Sequence, residues 1–265
     1  MKKLLAIIMA AATVALCFAG CGKKEEIPDS EYVKQNGKLV IGITDFAPMD
    51  YQDEGSDEWI GFDADMAKAF AKELGVEAEF AVINWDNKTF ELDGKSIDCV
   101  WNGMTLTSGV KKAMETSNAY CQNEQVVVVK SDKKDVYNTV DAIKELNFVA
   151  EQGSAGEEVL TGLGYNITAV TSQADAVKEV AAGTADAAVI DLLMAGAVIG
   201  EGTSYDDLVY TISLSEEKEE YGVGFRKGSD LAEKLNEFFK KSYNDGSMME
   251  IAKKYGVQES IIEQK

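Results

Sequence analysis

Short apolar runs rich in β-branched residues alternate with helix-like stripes along this chain, and the series begins twice. Residues 38–43, Lys-Leu-Val-Ile-Gly-Ile, predict a strand. Over 63–74 the apolar positions Met66, Phe70 and Leu74 recur four apart, with Ala67 and Ala71 on the same face, so a helix is expected there, stopped by Gly75. Strands are expected at 76–83 and, after a helical stretch, at 97–101. Residues 125–129, Gln-Val-Val-Val-Val, are an unbroken run of the kind buried on both faces of a sheet. The pattern then restarts, with strands at 148–150, 167–170 and 187–190. Gly153-Ser-Ala-Gly156 opens one interleaved helix, and Ser172 caps another with Asp175 as capping-box partner. A strand at 221–225, a long helix striped by Leu231, Leu235, Phe238 and Phe239, and a short helix over 248–255 close the series. The alternation predicts an α/β architecture with largely parallel sheets, and the second start predicts two lobes. Ligands in such folds sit beyond the carboxyl ends of the strands, often in an interdomain cleft.

The 265 residues suffice for one to two domains, and 46% of them are hydrophobic, which excludes a disordered chain. The 26 Lys and Arg stand against 46 Asp and Glu, a formal charge of −20, and there is no histidine. That excludes a Ser-His-Asp triad, a His general base and a His-ligated metal. Arg226 is the only arginine. Phosphate contacts need clustered Lys and Arg, so no nucleic-acid partner is expected. No cofactor or metal is expected either, and no catalytic residue is assigned.

The first twenty residues read as an address. Met1-Lys2-Lys3 is basic, residues 4–18 are apolar, and Ala19-Gly20 precede Cys21, the layout of a secretory signal. The apolar run is short for a bilayer span. Phe18-Ala19-Gly20-Cys21 resembles the bacterial lipobox, with Phe18 where Leu is usual. The resemblance implies cleavage before Cys21 and lipid attachment to its sulfur, and two acyl chains hold a protein stably on a membrane. Residues 21–35 are polar, contain Pro28, and read as a flexible lipidated tether. Cys99 and Cys121 remain, either bonded or as buried free thiols.

Several stretches line up in order: Gly42-Ile-Thr-Asp45-Phe46-Ala-Pro48-Met49, Gly61-Phe-Asp-Ala-Asp-Met-Ala67, and Ile97-Asp-Cys-Val-Trp-Asn-Gly103-Met-Thr105-Leu-Thr107. Gly183-Thr-Ala-Asp-Ala-Ala-Val-Ile-Asp191, Tyr221-Gly-Val-Gly-Phe-Arg-Lys227 and Asn244-Asp-Gly246 follow. Together, from about Lys38 to the C-terminus, they resemble the family 3 extracellular solute-binding proteins, the polar amino-acid receptors of bacterial ABC importers. The resemblance implies a type II periplasmic-binding-protein fold, two α/β lobes joined by a two-strand hinge that closes on a ligand. It implies crossings near 127–130 and 221–225, one lobe of residues 36–127 plus 222–265, and another of 128–221. It also implies an exported monomer, lipid-anchored at the outer face of the cytoplasmic membrane or periplasmic, with an ABC permease and its ATPase as partners.

A buried amino acid needs partners for both charges. By resemblance the ammonium meets the Gly103 carbonyl, the Thr105 hydroxyl and the Asp191 carboxylate; Asp191 also reads as a helix N-cap. Free N–H groups at the helix opened by Ser154 and Ala155 favour the carboxylate. The family pattern Thr-x-Thr-x-x-Arg is here Thr105-Leu-Thr107-Ser-Gly-Val110, so Val110 stands where an arginine would clamp the carboxylate. Arg226 and Lys111 are poorly placed to replace it. Phe46 and Trp85 fall where aromatics sandwich the ligand side chain, and Trp101, beside Asn102 and Gly103, reads as either cleft wall or core. Asp45 and Glu151 fall near the ligand side chain in relatives, where two acids suit a cation; alternatively Asp45 caps its loop and Glu151 is a solvated strand end. Asp63 and Asp65 are read as complements to a helix dipole, and residues 216–220 as a solvated acidic surface. The expected ligand is a small polar amino acid, basic ones included, or a related cationic amine. An enzyme such as a dehydratase, or a docking protein, on the same fold are the alternatives.

Overall fold

The computed structural model describes residues 27–215 and 217–265. The export signal and Cys21 lie outside the described residues. The first helix, α1 (Asp29–Asn36), falls where a flexible tether was expected. Its Val33 is buried, and Ser30 donates through both its backbone N–H and its hydroxyl to Asp230. The tether reading rested on polar composition and overlooked this one apolar anchor and the acids that favour a helix start.

The chain continues through β1 (Lys38–Ile43), α2 (Phe62–Leu74), β2 (Glu77–Val82), a 3₁₀ turn at Trp85–Asn87, α3 (Lys88–Asp93), β3 (Cys99–Thr105), α4 (Ser108–Ala113), β4 (Glu115–Thr116) and β5 (Cys121–Asn123). It then passes through β6 (Gln125–Lys130), β7 (Asn147–Glu151), α5 (Ala155–Leu163), β8 (Asn166–Val170), α6 (Gln173–Ala182), β9 (Ala187–Asp191), α7 (Leu192–Val198) and β10 (Leu208–Ser213). It returns through β11 (Glu219–Phe225), α8 (Leu231–Asp245) and α9 (Ser247–Lys254). Two sheets result, ordered β2-β1-β3-β11-β4 with β5 also on β11, and β10-β6-β9-β7-β8. Each carries helices, giving two α/β lobes. The sheets are mixed where largely parallel ones were expected. β1, β2 and β3 run parallel, but β11 returns antiparallel to β3; β7, β8 and β9 run parallel, but β6 opposes them, and β10, antiparallel to β6, runs with them at the edge. The reversal comes from the connecting strands, which enter each sheet from the other lobe.

The change of sheet falls at Glu124 on the way out, between β5 and β6, and between β10 and β11 on the way back. Both passages lie just upstream of the segments implied by the resemblance. Alternation explains how β6 is buried on both faces: Val126 and Val128 join one apolar cluster, Val127 and Val129 the other. Trp101 lies at the centre of the first lobe, edge-on to Phe239 at 5.6 Å, with Phe70 and Tyr120 beside it. Cys99 and Cys121 are buried free thiols. No helix among the described residues is long and apolar enough to cross a membrane.

The single arginine is a structural rivet. Arg226 pairs with Asp29 of α1 at 3.0 Å and with the buried Asp98 at 3.2 Å, and donates to the carbonyls of Ile97 and Leu92. Its donors are therefore committed to partners within the first lobe. Arg226→Met should lower stability by about 3–5 kcal/mol, because Asp98 would stay buried without its cation; urea unfolding midpoints measure this. Gly61, at φ 129°, turns the chain into α2, and a Cβ there would lie 2.1 Å from the Met49 carbonyl oxygen. Gly61→Ala should cost at least about 2 kcal/mol by backbone strain and displacement, read in the same titration.

Candidate ligand-binding site

The carboxyl ends of strands from both sheets face each other across a small cavity of about 270 Å³, its opening to solvent included. From the first lobe, Phe46 enters from the loop after β1, Trp85 from the turn after β2, and Asn102, Gly103 and Thr105 from β3. From the second, Glu151 ends β7, Ser154 and Ala155 open α5, Gln173 opens α6, and Asp191 ends β9. Nine residues singled out from the sequence thus share one cavity wall. The lobes also touch beside it: Lys88 Nζ donates to the Gly153 carbonyl at 2.9 Å, and Gln152 Nε2 to Asp86 at 3.3 Å.

Asp191 is the most heavily partnered acid in the cavity. Its Oδ1 accepts from Gln125 Nε2 at 2.9 Å, from the Tyr221 hydroxyl at 2.8 Å and from Asn123 Nδ2, and its Oδ2 accepts from Gln173 Nε2. Gln173 Oε1 in turn accepts from the Asp191 backbone N–H at 2.8 Å. Asp191 does stand at the N-cap position of α7, but its side chain makes no cap bond there. Burial, then the charge of nearby Glu219, pushes its carboxyl up to about 7 despite these donors. Glu151 is 2% exposed, not solvated, and its Oε1 has no hydrogen-bond partner. Burial, then the Asp191 charge, pushes it up to about 8. No Lys or Arg side chain lines this cavity among the described residues. Acids that resist ionisation in this way accept a cation readily, because the cation removes the penalty that raised them.

The aromatic wall is set by a close backbone approach. Gly103 has φ 54°, and a Cβ there would lie 2.4 Å from the Phe46 ring and 3.1 Å from that of Tyr221. Asp63 fixes this glycine by accepting from its N–H at 2.7 Å and from the Tyr120 hydroxyl at 2.7 Å. Asn102 faces the cavity, but its side chain is committed: Oδ1 accepts from the Thr44 N–H and hydroxyl, and Nδ2 donates to the Thr44 carbonyl and to Asp50 at 2.8 Å. Asp50 and Asp63 are both fully buried, which raises both carboxyls.

Two sequence candidates lie elsewhere. Trp101 is fully buried in the aromatic core, because β3 alternates and its neighbour Asn102 takes the other face. Asp45 is exposed outside the wall; partial desolvation raises its carboxyl, and the charge of Lys178 on α6 opposes this. Two readings of other acids also change. Asp63 orients Gly103 rather than only complementing a dipole. Glu219, in the supposed solvated run, turns inward and accepts from Gln125 Nε2 at 2.9 Å and Thr105 Oγ1 at 3.2 Å. Period two gave that signal, since Glu219 shares a face of β11 with Tyr221. Gln173, Gln125 and Asn123 were missed; the only hint was polar residues abutting apolar runs.

Comparison with known proteins follows the same lines. Residues 39–258 match the bacterial extracellular solute-binding proteins, family 3. The arginine-binding extracellular protein ArtP of Bacillus subtilis is 30% identical, the alignment covering 96% of this chain and 98% of ArtP. The L-cystine-binding protein TcyA of the same organism is 27% identical, with 96% and 97% covered. An amino acid ABC transporter substrate-binding protein from Streptococcus pneumoniae, bound to L-arginine, superposes with a TM-score of 0.79 at 26% identity, covering 89% of this chain and all of the other. With the shared cleft and the two-sheet connectivity, these matches place the chain in a known group: it belongs to family 3 of the bacterial extracellular solute-binding proteins.

Proposed function

We propose that the protein captures a small polar amino acid, with basic ones preferred, in the cleft between its lobes and passes it to the permease of an ABC importer, while lipid on Cys21 holds it at the cell surface. The observation that carries the ligand reading is the pairing, in one cavity, of Asp191 with Glu151, one of whose carboxylate oxygens has no hydrogen-bond partner, beside the rings of Phe46 and Trp85. Asp191 lies within reach of an α-ammonium together with the Gly103 carbonyl and the Thr105 hydroxyl. Glu151 takes a cationic side chain, and the aromatic faces add cation–π attraction. The relatives described as arginine-binding support the basic preference. A receptor role without catalysis fits the binding-protein relatives. A cationic amine without a carboxylate is the second reading, favoured by the surplus of acids around the cavity.

Calorimetric titration with a panel of amino acids tests this. Tightest binding of an acidic or purely aliphatic amino acid would overturn the side-chain assignment. Glu151→Gln should weaken L-arginine by about 10- to 100-fold while leaving L-glutamine within a few-fold, as expected for loss of one charged hydrogen bond.

The pH dependence has a definite sign. In the unliganded protein Asp191 and Glu151 hold protons up to about 7 and about 8. A cation selects the ionised forms, so L-arginine affinity should rise between pH 6 and 9 and binding should release protons, measured by titration in buffers of differing ionisation enthalpy. The same raised values mean that the unliganded fold is favoured below about pH 4 and loses that contribution as the pH climbs through 7 and 8. Both slopes should shrink in Glu151→Gln.

A further inference from the structure

A second small cavity adjoins the first. It shares Trp85, Thr105, Ser154 and Ala155 with the first and extends to Thr107 and Val110 of the α4 turn. The α4 side of this space carries no cation: Thr107 and Val110 face it, and Lys111 and Lys112 are exposed and do not line it. One cation does line it, and it comes from α3 of the same lobe. Lys88, at the start of α3, places its Nζ 3.1 Å from the Trp85 carbonyl, 2.9 Å from the Gly153 carbonyl across the cleft, and 4.9 Å from the centre of the Trp85 ring. An ammonium has three N–H donors, and two are occupied by these carbonyls.

The charges around Lys88 leave it without a close anion. Glu151, Asp86, Glu157 and Glu158 are the acids that act on it. Asp86 is engaged by Gln152, and Glu157 by the Gly153 N–H at 2.7 Å. None of the four lies within ion-pair distance of the Lys88 ammonium among the described residues. Burial lowers the Lys88 ammonium from its ordinary range. A half-buried cation bonded only to neutral carbonyls, lining a cavity beside the amino-acid pocket, lacks the one partner that would offset its desolvation.

We propose that Lys88 supplies the positive charge that holds the α-carboxylate of the bound amino acid, acting from α3 where an arginine on α4 is replaced by Val110. This rests on the amino-acid reading above. The geometry gives the lysine its position: closure of the lobes brings the Gly153 carbonyl onto its ammonium, so the remaining donor is fixed only when both walls are together. The α5 N-terminal N–H groups and the Thr107 hydroxyl border the same space, and Glu158 on its wall makes an uncompensated carboxylate still less favourable there.

The test separates a carboxylate partner from a mere latch between lobes. Calorimetry compares each amino acid with its decarboxylated amine: L-arginine with agmatine, L-histidine with histamine, and L-cystine with cystamine. The wild-type chain, Lys88→Gln and Lys88→Arg are each measured, with thermal melts to show that the variants fold. For the pair that binds, Lys88→Gln should weaken the amino acid by about 10- to 100-fold and the amine by no more than a few-fold, as for loss of one charged hydrogen bond. Lys88→Arg should keep the preference for the carboxylate-bearing partner. Equal weakening of both partners in Lys88→Gln, or none, overturns the assignment while leaving amino-acid binding intact. Failure of the wild-type chain to bind any of these amino acids overturns the proposed function instead, and removes the carboxylate assigned to Lys88 with it.

Discussion

A carboxylate buried out of water must be surrounded by donors, and Asp191 shows what that demands of the rest of the chain. Its four side-chain donors come from β5, β6, α6 and β11. Two of them, Asn123 and Gln125, flank the residue at which the chain leaves the first sheet for the second, and Tyr221 lies just inside the strand that brings it back. The acid therefore sits where the connecting strands meet, and the same hydrogen bonds that keep it in the interior hold the two lobes in register at their junction. Glu219 enters the network from the returning strand and raises the cost of ionising Asp191. A ligand cation placed here relieves strain that the protein alone retains.

Stability and binding thus pull in opposite directions within one small volume. Buried acids at Glu151, Asp191, Asp50 and Asp63 oppose folding near neutral pH, and the aromatic cluster around Trp101 together with the Arg226 rivet offsets them. The protein's overall acidity has a different role: exposed acids keep it soluble, whereas these few are defined by their burial.

How much of this was legible in the sequence depends on whether a feature is local. The alternation of strand and helix, the stop at Gly75 and the Ser172 cap are local, and the chain adopts them; Asp175, however, gives its backbone N–H to the cap while its side chain pairs with Lys178. The antiparallel return of β11 and the strands β4, β5 and β10 are not local, because short segments become strands only when a distant partner offers its edge. Among site residues, Phe46, Gly103, Thr105 and Asp191 lie in motifs whose order marked them, and Trp85 was marked by its position relative to them. Trp101 was undecided because an aromatic between cleft and core satisfies either, and the strand's alternation decided it. Glu219 was hidden in a run of like charges, where composition suggests solvent but the pleat turns one member inward. Gln173 was hidden because an amide gains meaning only from the carboxylate it reaches.

The docking of α1 has a mechanical consequence. Arg226 and Asp230 fasten that helix to the first lobe, by the guanidinium to Asp29 and by the Ser30 bonds. Whatever pulls on the chain ahead of Ile27 is felt by the first lobe alone, while the second hangs from two neighbouring crossings. A restraint applied at the N-terminus would therefore act on a different lobe from the one that hangs on the crossings.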